Sequence, residues 1–121
     1  MALTVSGFTG KSLDYKAFHD TDVPNTMVGN VTGTSGTLYH LFMDNTAAGT
    51  AAYYYIYFDA DVTVASYPDI KIYVAGSTYE VLEIPGGVSF TQLSYYVTTD
   101  VQPDGAPAAT GTVQKLYGVT S

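Results

Sequence analysis

The residues best suited to bind a metal ion lie in one short segment, which consists of His19, Asp20, Thr21 and Asp22, with Asn25 close behind. Oxygen ligands at alternate positions suit calcium, but a calcium loop also needs a third acidic position, a glycine at the sharp turn and a later bidentate glutamate. These are missing, so a solvated turn before Pro24 is the better interpretation. Asp59 and Asp61 are interpreted in the same way, and the sequence predicts no metal site.

Acid–base catalysis needs two titratable groups brought together in a pocket. Glu80 and Glu83 are three residues apart on a candidate strand, so their side chains point to opposite faces. His40 lies among apolar residues, where a hydrogen-bonded interior or interface histidine is the usual case. The chain contains no Gly-x-Ser-x-Gly elbow to expose a nucleophile. We therefore predict a protein without enzymatic activity, cofactor or small-molecule substrate.

The composition is typical of a single β-rich domain. The chain has 121 residues, of which only 12% are charged, and Thr, Gly, Ser, Val and Tyr dominate it. Because cysteine is absent, stability has to come from packing or from assembly. We expect one domain over residues 1–121, with residues 7–25 as a long loop or arm.

The charge distribution and the lack of targeting signals argue against nucleic acid and membrane partners. The net charge is −7, arginine is absent, and the lysines Lys11, Lys16, Lys71 and Lys115 are scattered. Nucleic-acid binding needs clustered basic groups, so it is not expected. The N-terminus lacks a basic segment followed by an apolar core, and the longest apolar run is about half the length of a membrane span. We expect synthesis in a cytoplasm, without a signal peptide or membrane contact.

Turn signals recur about every ten residues and divide the chain into ten candidate segments, from which we expect about eight short strands. The candidate strands cover residues 3–6, 26–32, 37–44, 51–60, 62–65, 70–74, 78–84, 88–90, 93–99 and 112–120. Residues 33–36 and 75–77 are predicted hairpin turns, and residues 85–87 are a predicted break. The expected fold is an antiparallel two-sheet β-sandwich with jelly-roll or Greek-key connections, and an immunoglobulin-like order stays open.

The segment from Ala51 to Ala60 is aromatic or apolar on both faces of the strand it predicts. One face would carry Tyr54, Ile56 and Phe58, and the other Tyr53, Tyr55 and Tyr57. The first face contains the two residues without a hydroxyl and suits a dry core. The second needs a covering loop, an opposing sheet or another protein. We predict that Tyr53, Tyr55 and Tyr57 bind a partner and that the chain forms a dimer or trimer.

A carbohydrate is the alternative ligand for these rings, because exposed aromatic residues on a sheet face can stack on sugars. That interpretation predicts a shallow polar groove beside the rings.

Several segments together resemble small β-sandwich virion proteins of tailed bacteriophages, including capsid decoration (cement) proteins of phages that infect cyanobacteria. They are residues 37–47, the Tyr/Ala strand, Pro68-Asp69-Ile70, residues 85–90, residues 93–99 and the strand ending at Val119. The resemblance spans roughly residues 31–99 and the last strand, and it depends on turns and aromatic residues. Tail and fibre-tip proteins of phages have similar compositions.

The resemblance implies a virion structural protein that binds the major capsid protein on the outside of the phage head and stabilises the shell. The net negative charge suits a surface away from packaged DNA. The alternative is a tail or fibre module that binds the host surface or a carbohydrate.

Overall fold

Eight β-strands and no helix occur in the computed structural model, which describes residues 3–7, 15–24, 26–63, 65–99 and 114–121. The strands are β1 (Leu3–Gly7), β2 (Lys16–Asp20), β3 (Gly36–Asp44), β4 (Ala52–Tyr57), β5 (Ile70–Val74), β6 (Tyr79–Phe90), β7 (Ser94–Thr98) and β8 (Lys115–Thr120). A larger sheet has the order β1-β2-β8-β3-β6, and a smaller sheet has the order β5-β4-β7. All pairs are antiparallel, which confirms the predicted two-sheet sandwich. No helix in these ranges could cross a membrane.

The connections follow jelly-roll order. Val28 exchanges two backbone hydrogen bonds with Tyr95 of β7, at 2.9 and 3.0 Å, and the Val31 N–H donates to Leu93 at 2.7 Å. Residues 28–31 therefore extend the smaller sheet beyond β7. From β2 onward the chain then visits the larger and smaller sheets in the alternation that defines a jelly roll.

The core lies between the two sheets. Tyr54 and Ile56 of β4 face inward from the smaller sheet, and Leu41 and Met43 of β3 and Leu116 of β8 face them from the larger sheet. Because alternate residues of a strand point to opposite faces, these elements each give one row of side chains to the core. Fully burying one such side chain stabilises the fold by about 1.5–3 kcal/mol.

Gly118 allows β8 to pass beside the aromatic ring of Phe18. The two residues are directly paired between β8 and β2, and Phe18 is buried. A Cβ atom on residue 118 would lie 2.4 Å from two carbons of the Phe18 ring and 3.2 Å from the backbone oxygen of His40. Only glycine fits this position without displacing a core side chain.

Replacing Gly118 by alanine should lower the free energy of unfolding by about 1–3 kcal/mol, because it overpacks a filled core. Gly49→Ala is the control, since its Cβ would meet nothing within 4 Å. Urea unfolding of both variants measures the difference. Equal midpoints would contradict the packing of Phe18 on Gly118.

Both predicted hairpins are wrong. β3 pairs with β6 and β8, and β5 pairs with β4, so the turns before β3 and between β5 and β6 connect one sheet to the other. A glycine-rich turn reverses the chain whether the next strand joins the same sheet or the other one. Its residues therefore do not specify which sheet that strand joins. Residues 26–32 make only the bridge at Val28, and the described residues near 62–65 form no strand.

The predicted break at residues 85–87 is a bulge inside β6. The strand continues to Phe90, and its pairing with β3 shifts between Leu38 and His40. Gly86 and Gly87 have φ angles of 79° and 76°, which glycine adopts without a Cβ penalty.

Part of the predicted arm over residues 7–25 is ordered strand. Lys16–Asp20 forms β2, which pairs with β1 and β8, because Phe18 enters the core there. The remainder of this prediction, at residues 8–14 and 25, lies outside the described residues.

Candidate functional site

The face of β4 that carries Tyr53, Tyr55 and Tyr57 is covered within the single chain. Tyr55 and Tyr57 are 0% exposed and pack with Tyr96 of β7, and Met27 and Val62 lie against this cluster. The Tyr57 hydroxyl donates to the Ser66 carbonyl at 3.2 Å. Of the three coverings considered for this face, a loop, an opposing sheet or another protein, the structure therefore contains the loop.

Among the described residues of this face, those on the β5 side are accessible to solvent. Tyr73 is 55% exposed and Tyr53 is half-buried, with ring centroids 5.4 Å apart. Lys71 places its Nζ 5.4 Å from the Tyr53 ring and 5.9 Å from the Tyr55 ring. Partner binding by Tyr53, Tyr55 and Tyr57 stays a prediction, but the patch of three exposed rings on which it depended does not exist in this chain.

The buried phenol groups of three tyrosines make the free energy of unfolding depend on pH in the alkaline range. Burial raises the pKa of Tyr57 to about 12, with neighbouring phenols adding to the effect. Burial also raises the pKa values of Tyr54 and Tyr95 above their ordinary 10.0, and the nearby carboxylates Asp44 and Asp20 raise them further.

A group whose pKa is raised on folding stabilises the folded state fully below its unfolded pKa, and this stability is lost as the pH rises through the folded value. We therefore expect the free energy of unfolding to fall from about pH 10 through pH 12 and beyond. Urea titrations at a series of pH values, followed by circular dichroism, would measure it. A constant midpoint across this window would contradict the burial of the three hydroxyls.

Uncovered aromatic residues lie instead on the solvent-facing side of the larger sheet, here called the outer face. Four rings cross it from strand to strand and form what we call the aromatic ridge: Tyr79 of β6, Phe42 of β3, Tyr117 of β8 and His19 of β2. Tyr79 is 56% exposed, His19 is exposed, and the other two are half-buried.

The register of the larger sheet aligns these side chains. His19 pairs with Tyr117, Tyr117 with Phe42, and Phe42 with Val81, so one row crosses four strands. The neighbouring residues Phe18, Leu116 and Leu41 are buried on the opposite side. The outer face is therefore fixed by the same alternation that builds the core.

The rings of the ridge stack on one another. Phe42 lies 5.1 Å from Tyr79 and 5.8 Å from Tyr117, with interplanar angles of 18° and 21°. His19 meets Tyr117 edge-on at 5.8 Å. Because a ring stacks on Phe42 from each neighbouring strand, the ridge is rigid and leaves no open face on its central ring.

A shallow groove, defined as two depressions that share His40, runs beside the ridge. The first has about 400 Å³ and is lined by Ala17, His19, Thr21, Tyr117 and Val119 in addition to His40. The second has about 330 Å³ and is lined by Tyr39, Glu83 and Pro85 in addition to His40. The His40 Nδ1 lies 3.9 Å from the Glu83 carboxylate. The groove thus combines apolar walls with a few polar groups.

Charged side chains of both signs lie beside the ridge. Asp44 pairs directly with Lys115, one row from the ridge. Burial alone would raise the pKa of Asp44, but two hydrogen bonds from Thr46, at 2.6 and 2.9 Å, together with the charge of Lys115, lower it from 3.8. Asp44 therefore remains ionised as the partner of Lys115 at neutral pH.

The candidate cation ligands do not converge. His19 lies on the outer face, whereas Asp20 is fully buried and accepts hydrogen bonds from the Tyr95 hydroxyl and, at 3.1 Å, from the Asp22 N–H. The solvated turn predicted here is wrong for Asp20, because the carboxylate joins β2 to β7 across the core. Among the described residues no group of three or more metal-binding side chains occurs.

The two glutamates of β6 are separated as predicted. Glu83 pairs with His40 on the outer face, and Glu80 pairs with Met43, whose side chain is buried in the core. They therefore point to opposite sides of the strand. His40 itself is partly exposed on the outer face, with 34% of its side chain accessible.

Sequence reasoning missed the ridge because of the bulge in β3. Simple alternation groups Phe42 with Leu38 on one face, whereas the structure buries Leu38 and turns Phe42 outward. The sequence signal for the ridge was the alternation of Tyr117 and Val119 with Gly118 and Thr120 in the last strand. This alternation does not reveal which side of the strand faces solvent.

No family model matches the chain, and neither a curated protein nor a solved structure matches it. The geometry of the outer face and the resemblance of the sequence to phage virion proteins are therefore the basis of the function proposed below.

Proposed function

We propose that this protein is a non-enzymatic virion structural protein that decorates the capsid of a tailed phage, where it binds the major capsid protein on the head surface and stabilises the shell. The observation that carries the proposal is the aromatic ridge, a rigid row of rings uncovered by any described segment. Exposed aromatic residues of this kind are enriched at protein interfaces.

The arrangement of the rings favours a protein partner over a sugar. A sugar stacks on an open aromatic face, but the central ring, Phe42, is stacked against a neighbour from each adjacent strand. The ridge exposes ring edges and side-chain tips, which fit the irregular surface of another protein. Jelly rolls occur in both viral capsid and lectin domains, so the fold alone does not decide between them.

The charge distribution supports an outward orientation for the rest of the molecule. Asp59, Asp61 and Asp69 are exposed on the connection between β4 and β5, at the smaller sheet. The outer face carries charges of both signs instead, with Asp44 opposite Lys115. A shell subunit would meet less repulsion there than at the acidic connection.

The number of copies of the chain in purified virions tests the proposal. Capsid decoration requires hundreds of copies per particle, and electron microscopy of particles with and without the protein should show density on the head. Heads without it should release DNA at a lower temperature. A few to a few dozen copies at the tail would favour the host-binding module, and a chain absent from virions would contradict both roles.

A further inference from the structure

The outer face is complementary to itself, because the aromatic ridge lies directly beside the groove. We propose that a second copy of this chain packs against the outer face and forms a two-fold symmetric dimer, in which the ridge of each copy occupies the groove of the other. A two-fold interface uses the same patch on both copies, so it requires a protrusion and a depression side by side. The inference rests on the proposed structural role: the free protein pairs through the same face that binds the capsid subunit on the phage head.

Charge favours this face for contact between identical chains. Each copy carries a net charge of −7, so most orientations bring like charges together. On the outer face, Asp44 is matched by Lys115 and Glu83 lies beside His40. Two copies that meet through this face therefore bring fewer like charges together than two copies that meet through the acidic connection between β4 and β5.

The ridge is also preorganised for binding. Its stacked rings are fixed by one another and by the sheet, so little side-chain freedom is lost when a partner binds. Val81 is 46% exposed and lies in the same row as Phe42, which extends the apolar strip to β6. The contact would therefore have an aromatic centre and a polar rim of Glu83, Lys115 and Asp44.

The size of the face fits a modest dimer. Five strands about 4.8 Å apart give a width of roughly 20 Å, and three rows of outward side chains give a similar length. Two such faces bury roughly 800 Å² together, the size of a weak or transient interface. We therefore expect a dissociation constant in the micromolar range.

Sedimentation equilibrium of the purified chain over about 1–200 μM, which brackets such a constant, tests the dimer. Tyr117→Ala removes the central part of the ridge and should raise the dissociation constant at least about tenfold. Val81→Glu adds a charge to the apolar strip without removing a buried side chain, and should have a similar effect. Tyr73→Ala removes a more exposed tyrosine from the smaller sheet and should leave the constant within about twofold of the wild type. Circular dichroism confirms that each variant is folded.

A wild-type chain that remains monomeric over this range would overturn the inference. So would a dimer that both Tyr117→Ala and Val81→Glu leave intact, or one that Tyr73→Ala dissociates. A monomer present in hundreds of copies on phage heads would overturn the dimer and leave the proposed function standing. A dimer that depends on the ridge, formed by a chain that is absent from virions, would overturn the proposed function and leave the dimer standing.

Discussion

Replacing Tyr55 by alanine should lower the free energy of unfolding by about 3–5 kcal/mol, because it removes a fully buried aromatic ring and leaves a cavity. The ring packs with Tyr57 and Tyr96 under residues that are distant in the sequence, so the site cannot easily collapse. Ile56→Ala, on the opposite face of β4, should cost about 2–5 kcal/mol for the same reason. Both faces of this strand are expected to act on folding stability, whereas the sequence predicted one stability face and one assembly face.

Urea unfolding of Tyr55→Ala, Ile56→Ala and Tyr67→Ala measures this expectation. Tyr67 is 87% exposed, so its replacement should change stability by no more than about 0.5 kcal/mol. If Tyr55→Ala unfolded at the same urea concentration as Tyr67→Ala and only weakened association, Tyr55 would be an interface residue and the covered face would be refuted.

Replacing Tyr95 by phenylalanine should cost about 1.5–3 kcal/mol, because it removes the hydroxyl that donates to the buried Asp20 carboxylate. The ring remains and no large cavity forms, so the loss reflects the hydrogen bond itself. The Asp22 N–H still donates to the carboxylate at 3.1 Å, but the oxygen that faced Tyr95 has no replacement donor from water.

Tyr54→Phe is the matched control for this substitution. Tyr54 is equally buried, and its hydroxyl lies 3.0 and 3.1 Å from the backbone oxygens of Asp44 and Lys115, which are neutral acceptors. Its loss should cost about 1 kcal/mol. A double-mutant cycle of Tyr95→Phe with Asp20→Asn gives the coupling between the two residues. Equal costs for Tyr95→Phe and Tyr54→Phe, or zero coupling in the cycle, would show that the carboxylate does not depend on Tyr95.

Much of the fold follows from local sequence patterns. The alternation of Tyr54 and Ile56 with Tyr53 and Tyr55 predicted the faces of β4 correctly, because it depends only on the two-residue period of a strand. The all-β class and the strand number follow from the frequency of turn residues. The jelly-roll order does not, since the residues of a turn fix a reversal and not the sheet that the chain enters next.

The candidate site was the least predictable part of the molecule. Whether Tyr55 is buried depends on Met27 and Val62, which reach it only through the tertiary fold. The aromatic ridge combines single residues from four strands, and no one strand shows it. The register also shifts between Leu38 and His40, where Tyr39 is an extra residue relative to β8 and residues 84–87 of β6 have no register partner in β3. This shift reverses the orientation expected for Phe42.

We expect the outer face of the larger sheet, and not the tyrosine face of β4, to meet the protein partner. A dilution series of backbone amide NMR spectra, from about 500 to about 5 μM, maps the contact residue by residue around a micromolar dissociation constant. We predict that concentration-dependent shifts concentrate on β3 and β8 around Phe42 and Tyr117, with weaker shifts on β2 and β6. Shifts confined to β4 and β5 around Tyr53 and Tyr73 would contradict this expectation.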